Sequence, residues 1–376
     1  MKSFFVILFL LFAEGAFAVI SPFPVGHLES FMANTGAALE DSPGNVIYNP
    51  AGLGFREAKE LNISVSGNAL GQQHFQLEGL EQQSNDLKLR PLLTAGIYPI
   101  ADGMGAVFVA NPISFKIFQG TQSESGAAQA KANVTVDTDN IAAGVSYARN
   151  LNSSFSWGVS TGVTFSSTET YAYSSYQTSS IAATEYQESH TKNSVIFLMP
   201  GIMWKITPDW TVGASMNFTP VTLNDEASRV DSVTNSATPT QISQTTVKYK
   251  TNSKEDPDVL LGTQVRLGLH RLFTDVAYNG VESAQNENGV NTTSSAFWSY
   301  SVGWKYDRAG QFQPMAGLGY ADRVISTDYI ATAGCSILNR ANELILGLYY
   351  TKSDSRSSTD SSYDSVGVMF SSSLNY

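Results

Sequence analysis

Residues 154–166 read SFSWGVSTGVTFS, and their apolar side chains occupy alternate positions. The other positions hold only serine, glycine and threonine. Successive side chains of a β-strand point to opposite faces, so this period of two predicts a strand with one apolar and one polar face. The apolar face consists of Phe155, Trp157, Val159, Val163 and Phe165.

The same alternation recurs along most of the chain after residue 60, strictly so in WTVGASMNFT (210–219). Only 15% of residues are charged, and the abundance of Ser, Thr, Gly and aromatic residues favours strands and polar turns over helices. We therefore predict an all-β fold. Its fourteen strands are expected at about 61–68, 91–99, 104–118, 133–149, 154–173, 191–206, 210–224, 247–267, 271–283, 295–306, 311–324, 329–338, 342–353 and 362–376.

The connections between these strands alternate in length. Six pairs of consecutive strands are joined by short turns. Longer polar segments separate most of the remaining pairs, and the 325–328 link is a short exception. An even number of antiparallel strands with short turns at one end is typical of bacterial outer-membrane barrels. We predict that residues 59–376 form a monomeric transmembrane β-barrel among outer-membrane lipids, although aromatic residues near strand ends would also suit a sandwich core. The short turns are expected at 100–103, 150–153, 207–209, 268–270, 307–310 and 339–341.

Both ends of the chain suit export to that membrane. Residues 1–18, MKSFFVILFLLFAEGAFA, combine an early lysine, a short apolar core and an Ala-Phe-Ala cleavage site, which predicts a signal peptide and a mature chain from Val19. The last strand alternates and ends on the aromatic Tyr376. Such an ending resembles the signal by which outer-membrane proteins are recognised for insertion, so the barrel-assembly machinery is an expected partner.

Several classes of function are disfavoured by composition. The formal net charge of −11 argues against a nucleic-acid partner. Cys335 is the single cysteine and cannot form an internal disulfide, and the four histidines lack metal-ligand spacing. We therefore expect neither a metal nor a cofactor.

One motif resembles a catalytic site without its context. GVSTG (158–162) fits the G-x-S-x-G pattern of hydrolases, but that pattern needs a strand-to-helix turn, whereas Ser160 lies within an alternating strand. We expect no enzymatic activity.

The alternation is missing before the first strand, where residues 45–55 read NVIYNPAGLGF. Pro50 would remove a donor from a strand ladder and would clash inside a helix, so the stretch is a compact bend. Residues 19–58 contain four prolines and several apolar residues. A fourteen-stranded barrel is wide enough to leave a lumen. We predict that residues 19–58 fold inside it as a plug.

This region also carries a family resemblance. NTGAALEDSPGNVIYNPAGLGF (34–55) resembles the N-terminal hatch of the FadL/TodX-type outer-membrane transporters of long-chain fatty acids and other hydrophobic compounds. The matching hatch motif is Asn49, Pro50 and Ala51, followed by Gly52. The similarity continues in 90–112 and 256–267, whereas residues 170–250 depart from the pattern.

The resemblance implies passive transport of a hydrophobic small molecule, with fatty acids as the default substrate. It implies that substrate gathers at extracellular loops, enters a pocket above the hatch and leaves through a gap at a kinked third strand. In this chain Asn111 and Pro112 interrupt the predicted third strand. Proline within a strand removes a ladder donor, so a lateral opening is expected there, with a harmless bulge or strand end as the alternative.

Two segments, VFVANPISFKIF (107–118) and VIFLMPGIMWKI (195–206), are apolar on both faces. The lumen face of a water-filled porin should be polar. These segments thus contain candidate ligand contacts, which could alternatively pack against the plug. The candidates are Phe108, Phe115, Leu198, Met199 and Trp204.

Three other functions stay open from sequence alone. A water-filled general or selective porin would share the barrel. A membrane-embedded esterase would need Ser160 and a nearby histidine. A structural or adhesive barrel would act through its long loops.

Overall fold

The structure is a computed structural model, and the predicted signal peptide and Tyr376 lie outside the residues it describes. Within 62–91 and 112–134 only the backbone is described. The described residues are 24–40, 42–56, 62–77, 80–84, 88–125, 128–177, 182–235, 243–286, 288, 290–307, 312–324, 326–339, 342–356 and 361–375.

The described chain is almost entirely β-strand. The strands are β1 (Asn62–Leu77), β2 (Leu80–Ser84), β3 (Lys88–Ile100), β4 (Gly103–Ser125), β5 (Ala128–Asn150), β6 (Phe155–Gln177), β7 (Ala182–Thr207), β8 (Trp210–Asn235), β9 (Ser243–Tyr249), β10 (Lys254–Glu255), β11 (Asp258–Leu267), β12 (His270–Asn279), β13 (Glu282–Gln285), β14 (Asn291–Thr293), β15 (Phe297–Tyr306), β16 (Phe312–Asp322), β17 (Ser326–Asn339), β18 (Asn342–Ser355) and β19 (Ser361–Asn375). The short strands β2 and β9 pair with the outer parts of β1 and β8, and β10, β13 and β14 form a separate small sheet.

Fourteen strands form one antiparallel sheet, in which each pairs with two others. Their order is β1, β3, β4, β5, β6, β7, β8, β11, β12, β15, β16, β17, β18 and β19. The order returns to its start because β19 pairs with β1. Strand β8 meets β11 directly, from Asn217↔Asp258 to Trp210↔Val265. The predicted all-β fold with fourteen antiparallel strands is confirmed, and we call this cycle of pairings the ring.

The two faces of the ring differ in exposure. On β18, Leu346 and Leu348 are 48% and 58% exposed, whereas the alternate residues Ile345 and Tyr349 are buried at 0% and 2%. On β8, Trp210 is exposed while Thr211 and Ser215 are buried. The exposed apolar side chains thus lie on the outer face, and the buried inner face carries both apolar side chains, such as Ile345, and polar ones, such as Thr211.

The ring is much taller on one side. Strands β4 to β8 contain 23 to 26 residues each, whereas β11, β12 and β15 contain 10. At ~3.3 Å per residue, the long strands span roughly 75–85 Å and the short ones roughly 33 Å. The predicted long strands were too short, because the outer halves of these strands are mostly polar and carry no strict apolar alternation.

One predicted strand was wrong. Residues 247–267 were expected to be continuous, but the structure divides this region among β9, β10 and β11. Asn252 has a left-handed backbone with φ of 46°, and Pro257, just before β11, lacks an amide hydrogen. The strand therefore cannot run through this connection.

The residues before β1 form three short 3-10 helices, Glu29–Met32, Pro43–Val46 and Pro50–Phe55. Two of them start with a proline, whose missing amide hydrogen costs nothing at that position. Ser42 and Asn49 cap these two by accepting the amides of Gly44 and Ala51. No helix among the described residues is long and apolar enough to cross a membrane.

The ring should fold without the outer half of the β6–β7 hairpin. An Asn-Gly turn in place of residues 168–191 would connect Ser167 and Lys192, which are already cross-strand partners. The shortened strands would still be longer than β11, so we expect the heat-modifiable gel migration and β-type circular dichroism of the intact protein.

Removing residues 158–163 with their partners 196–201 instead takes away the inner half of the hairpin and should abolish that migration. Loss of the folded form after the outer deletion would contradict this division of the strands.

Candidate functional site

The N-terminal segment, defined as residues 24–56, is buried by the ring. Among its described residues, Phe31, Val46 and Leu53 have no solvent exposure. Its contacts reach strands on every side of the ring: the first 3-10 helix contacts β15 to β18, and the last contacts β4 to β7. The segment therefore contacts strands on opposite sides of the ring.

Asn49 links the segment to itself and to the wall. Its Nδ2 donates to the carbonyl oxygens of Ala37 at 2.6 Å and Ile202 at 3.0 Å. Its Oδ1 accepts the Ala51 amide at 3.2 Å, which starts the Pro50–Phe55 helix. Asn49 is fully buried, and an apolar replacement would leave two buried carbonyl groups without this donor. The structure gives Asn49 a structural role in the bend.

Asp275 of β12 holds the preceding bend. Its Oδ2 accepts the backbone amides of Gly36 at 2.7 Å and Ala37 at 2.9 Å. Hydrogen bonds to a carboxylate are roughly twice as strong as neutral ones, so Asp275 is a strong anchor for this part of the segment.

Acidic and basic side chains fasten the segment elsewhere. Glu40 pairs with Lys205 of β7 at 2.6 Å and accepts from the Thr211 hydroxyl of β8 at 2.6 Å. His27 Nε2 lies 3.0 Å from Glu343 of β18, and its Nδ1 lies 2.5 Å from the Ser371 hydroxyl of β19. These contacts fix the segment to opposite sides of the ring.

Wall hydroxyl groups complete the hydrogen bonding. Ser156 of β6 donates to the Ala51 carbonyl at 2.7 Å, and Ser215 of β8 donates to the Tyr48 carbonyl at 2.5 Å. On the opposite side, the Thr332 hydroxyl of β17 accepts the Ala33 amide at 3.0 Å. Three buried backbone groups of the segment thus find partners in short hydroxyl side chains on the inner face of the strands.

Eight glycines of the wall lie directly against the segment, and we call them the glycine seat. A side chain at any of them would overlap residues 31–51. They occur as four cross-strand pairs, each pair directly opposed in the sheet. The pairs are Gly158 and Gly201, Gly213 and Gly262, Gly303 and Gly317, and Gly334 and Gly347.

Two positions show how close the approach is. A Cβ at Gly317 would lie 2.5 Å from the Ala33 nitrogen, and a Cβ at Gly158 would lie 2.6 Å from the Pro50 carbonyl carbon. Backbone atoms cannot move aside as a flexible side chain can. Only glycine therefore permits this fit.

One acidic group inside the segment is under-satisfied. Glu29 is completely buried; its Oε2 accepts the His27 amide at 2.9 Å, while its Oε1 has no partner. Burial raises the pKa of Glu29 above its ordinary value of 4.5, although Ser42 and His27 oppose this shift. Burial, together with the charges of Glu29 and Asp275, also raises the pKa of the Tyr48 hydroxyl.

A cavity lies between the segment and the β7–β8 wall. Its volume is about 10 Å³, which is room for roughly one water molecule. The pairing of β7 with β8 shifts register beside it, between Ile196 and Leu198. It is lined by Val46, Ile47, Phe197, Met199 and Asn217.

The structure places the five candidate ligand contacts differently. Met199 lines the cavity, and Phe108 is buried with its ring centroid 6.2 Å from that of Phe197. Trp204 is 52% exposed on the outer face, so its expected place in the lumen was wrong. Leu198 alternates with Phe197 and Met199 and lies on the outer face too. The side chain of Phe115 is outside the described part.

The predicted lateral opening has an irregular ladder. The pairing of β3 with β4 runs from Ile100↔Gly103 to Leu93↔Ala110, although β4 continues to Ser125. On its other edge, β4 shifts register against β5 between Ala110 and Ile113. Asn111 and Pro112 lie at this discontinuity. Whether it opens stays a prediction.

Two other sequence features take ordinary structural places. Ser160 is buried within β6, where its hydroxyl lies 2.7 Å from that of Ser146. Among the residues that the structure describes, no group of three or more His, Cys, Asp or Glu side chains could hold a metal ion.

Several residues of this site were not predicted from the sequence. Phe197 could have been found from strand parity, because it shares a face with Met199, whereas Leu198 does not. The glycines of the seat carry only a faint signal, as small residues on polar faces. Asp275 and Asn217 carry no signal in the sequence, because the residues that they contact are distant along the chain.

Comparison with protein-family models and with curated protein sequences gave no match. Solved structures do match. The Pseudomonas putida toluene transporter TodX has a TM-score of 0.67 at 13% identity, over 95% of this chain and 99% of that chain. The Ralstonia pickettii toluene transporter TbuX scores 0.65 at 14% identity, over 96% and 100%.

A Pseudomonas aeruginosa FadL homologue scores 0.60 at 14% identity, over 94% of this chain and 98% of that chain. This chain has the FadL/TodX fold. The resemblance drawn from the NPA-containing segment is thereby confirmed at the level of fold. At these identities the similarity concerns architecture, and these neighbours are transporters rather than enzymes.

Adding a methyl group to the glycine seat should displace the segment. In Gly317→Ala the new Cβ meets backbone atoms of the segment, and such overpacking costs about 1–3 kcal/mol. We expect faster hydrogen exchange at amides 29–37 and higher permeability of cells to a hydrophilic dye.

Gly96→Ala is the matched control, because a Cβ at Gly96 has its nearest neighbour at 3.6 Å. Equal exchange rates in Gly317→Ala and the unchanged protein would show that the segment is not held by this fit.

The segment should also respond to pH through Glu29. Because burial raises its pKa, the folded segment favours the protonated form. The contribution of protonated Glu29 to the stability of the folded segment is complete below about pH 4.5, the pKa of Glu29 in the unfolded chain. This contribution is lost as the pH rises through the higher pKa of the folded state. Glu29→Gln should therefore increase protection of residues 24–56 from hydrogen exchange at pH 8 and flatten its pH dependence.

Asp209→Asn, at an exposed acid in a short turn, is the control and should leave the pH profile unchanged. Lower protection in Glu29→Gln than in the unchanged protein at pH 8 would contradict this account.

Proposed function

We propose that the protein passively transports hydrophobic small molecules across the outer membrane, with the N-terminal segment as its hatch. The observation that carries the proposal is the attachment of this segment to strands on opposite sides of the ring, by Asp275, Glu343 and Lys205 among others. A segment held in this way leaves little room for free diffusion of water-soluble solutes.

The outer face of the ring supports the membrane location. Leu346 and Leu348 of β18 and Val302 of β15 are half exposed, which would be costly over so large an area in water. Aromatic side chains lie towards both ends of the short strand β15, where Trp298 is 48% exposed at one end and Trp304 is partly exposed near the other. Aromatic residues at the two ends of an apolar band are typical of transmembrane barrels.

The tall wall formed by β4 to β8 is far longer than a bilayer requires. A transmembrane strand needs ~9–11 residues, so about half of each long strand would project beyond the membrane. The short turns mark the other end of the ring, and the glycine seat lies near that end. We infer that the hatch lies towards the periplasm and that the wall stands on the cell surface.

The cavity beside Phe197 and Met199 is the proposed first contact for substrate. It holds only about one water in the closed state, so a ligand must displace side chains. Met199 is suited to this, because methionine adapts its shape readily. From here the ligand would leave through the gap in the ladder at Asn111 and Pro112 or past a displaced hatch.

The substrate class rests on two arguments. The apolar cavity wall favours a hydrophobic ligand, and the neighbours TodX and TbuX are described as toluene transporters. Long-chain fatty acids are the default that the sequence resemblance implies. A general porin is the alternative, and the bonded N-terminal segment disfavours it.

Uptake by cells that lack their own fatty-acid transporter tests the proposal. Cells producing the protein should take up labelled long-chain fatty acid or toluene faster than cells with an empty vector, without increased uptake of a labelled disaccharide. The disaccharide serves as the internal control for leakage. Faster uptake of the disaccharide with no gain for either hydrophobic probe would favour the porin instead.

A further inference from the structure

The cavity presents a hydrogen-bond acceptor that lacks a donor. Asn217 lines the cavity, and its Oδ1 is buried without a partner. The same side chain hydrogen-bonds the carboxyl group of Asp258, which is its direct cross-strand partner. Because Asp258 accepts from the amide, the nitrogen of Asn217 points to it, and the oxygen is left for the cavity side.

The surroundings of Asn217 are rich in acceptors. Asp258 also accepts the Gly280 amide at 2.8 Å. Two residues further along β8, the Thr219 hydroxyl donates to Glu255 at 3.2 Å. A ligand in the cavity therefore meets apolar side chains, one unpaired amide oxygen and, behind it, two acidic side chains. This combination favours an uncharged ligand with a donor and disfavours a carboxylate.

We propose that Asn217 is a specificity-determining residue, which selects uncharged aromatic compounds carrying a hydroxyl group over both plain hydrocarbons and carboxylate anions. The inference rests on the proposed function and refines its substrate class. The aromatic ring packs on Phe197 and Met199, and the hydroxyl donates to Asn217 Oδ1. A buried acceptor without a partner costs free energy, so the ligand that satisfies it gains affinity over one that cannot.

Three ligands with the same ring and methyl group test this proposal by calorimetry on the full-length protein in detergent. They are p-cresol, toluene and p-toluate, which carry a neutral donor, no polar group and a carboxylate. One neutral hydrogen bond corresponds to about a fivefold change in affinity. We expect p-cresol to bind about fivefold more tightly than toluene, and p-toluate to bind least.

Asn217→Leu keeps the volume of the side chain but removes the acceptor. It should eliminate the p-cresol advantage without weakening toluene binding, and retained toluene binding also verifies that the variant is folded. Asn193→Leu is the matched control, because Asn193 on β7 has another buried and unpaired amide oxygen but does not line the cavity. That variant should keep the advantage.

The outcomes separate the two proposals. If toluene binds but p-cresol binds no better, or if Asn217→Leu changes nothing, the role of Asn217 is refuted and the proposed transport function stands. If p-toluate binds most tightly, the selection against carboxylates is refuted. If none of the three binds, the transport function fails and the role of Asn217 fails with it.

Discussion

The close contact between the N-terminal segment and the glycine seat is the constraint on which the rest of the structure depends. Four opposed glycine pairs bring the sheet backbone directly against residues 31–51 of the segment. Only at that separation can short side chains such as Ser156 and Ser215 reach the buried carbonyl groups of the segment. A bulky inner face would need longer polar side chains, at a greater cost in conformational entropy.

The hydrogen bonds of the segment explain why its sequence looks irregular. With prolines at 43 and 50 the segment cannot form one continuous helix or strand, and its short 3-10 helices leave some backbone groups to be satisfied by other partners. Here Asp275, Asn49 and the wall hydroxyls provide the partners instead. The buried Glu29 is an exception, because its Oε1 has no partner and burial raises its pKa, so its ionisation destabilises the folded segment as the pH rises.

The fold could be predicted from sequence because a barrel strand carries its own signal. Alternation in stretches such as 154–166 gives both the strand and the face that points outward, and the even count of strands with short turns gives the topology. The tall wall was not predictable, because the outer halves of β5 to β8 are mostly polar. The predicted strand 247–267 was wrong because it crosses KTNSKEDPD (250–258), a polar stretch that contains Pro257.

The site was predictable only in part. The bend at Asn49 and Pro50 could be recognised, since proline and small residues allow few conformations. Trp204 was misplaced because aromatic residues suit both the membrane face and a lumen. Contacts such as Gly36 with Asp275 join residues more than two hundred positions apart, and no local pattern records such a pairing.

The central claim is that residues 24–56 close the ring. Single-channel conductance in planar bilayers tests it most directly, with the intact protein compared with a chain that lacks these residues and retains the ring strands. We predict no large steady conductance for the intact protein and wide, stable openings for the shortened one. Equal conductance of the two proteins would contradict the account.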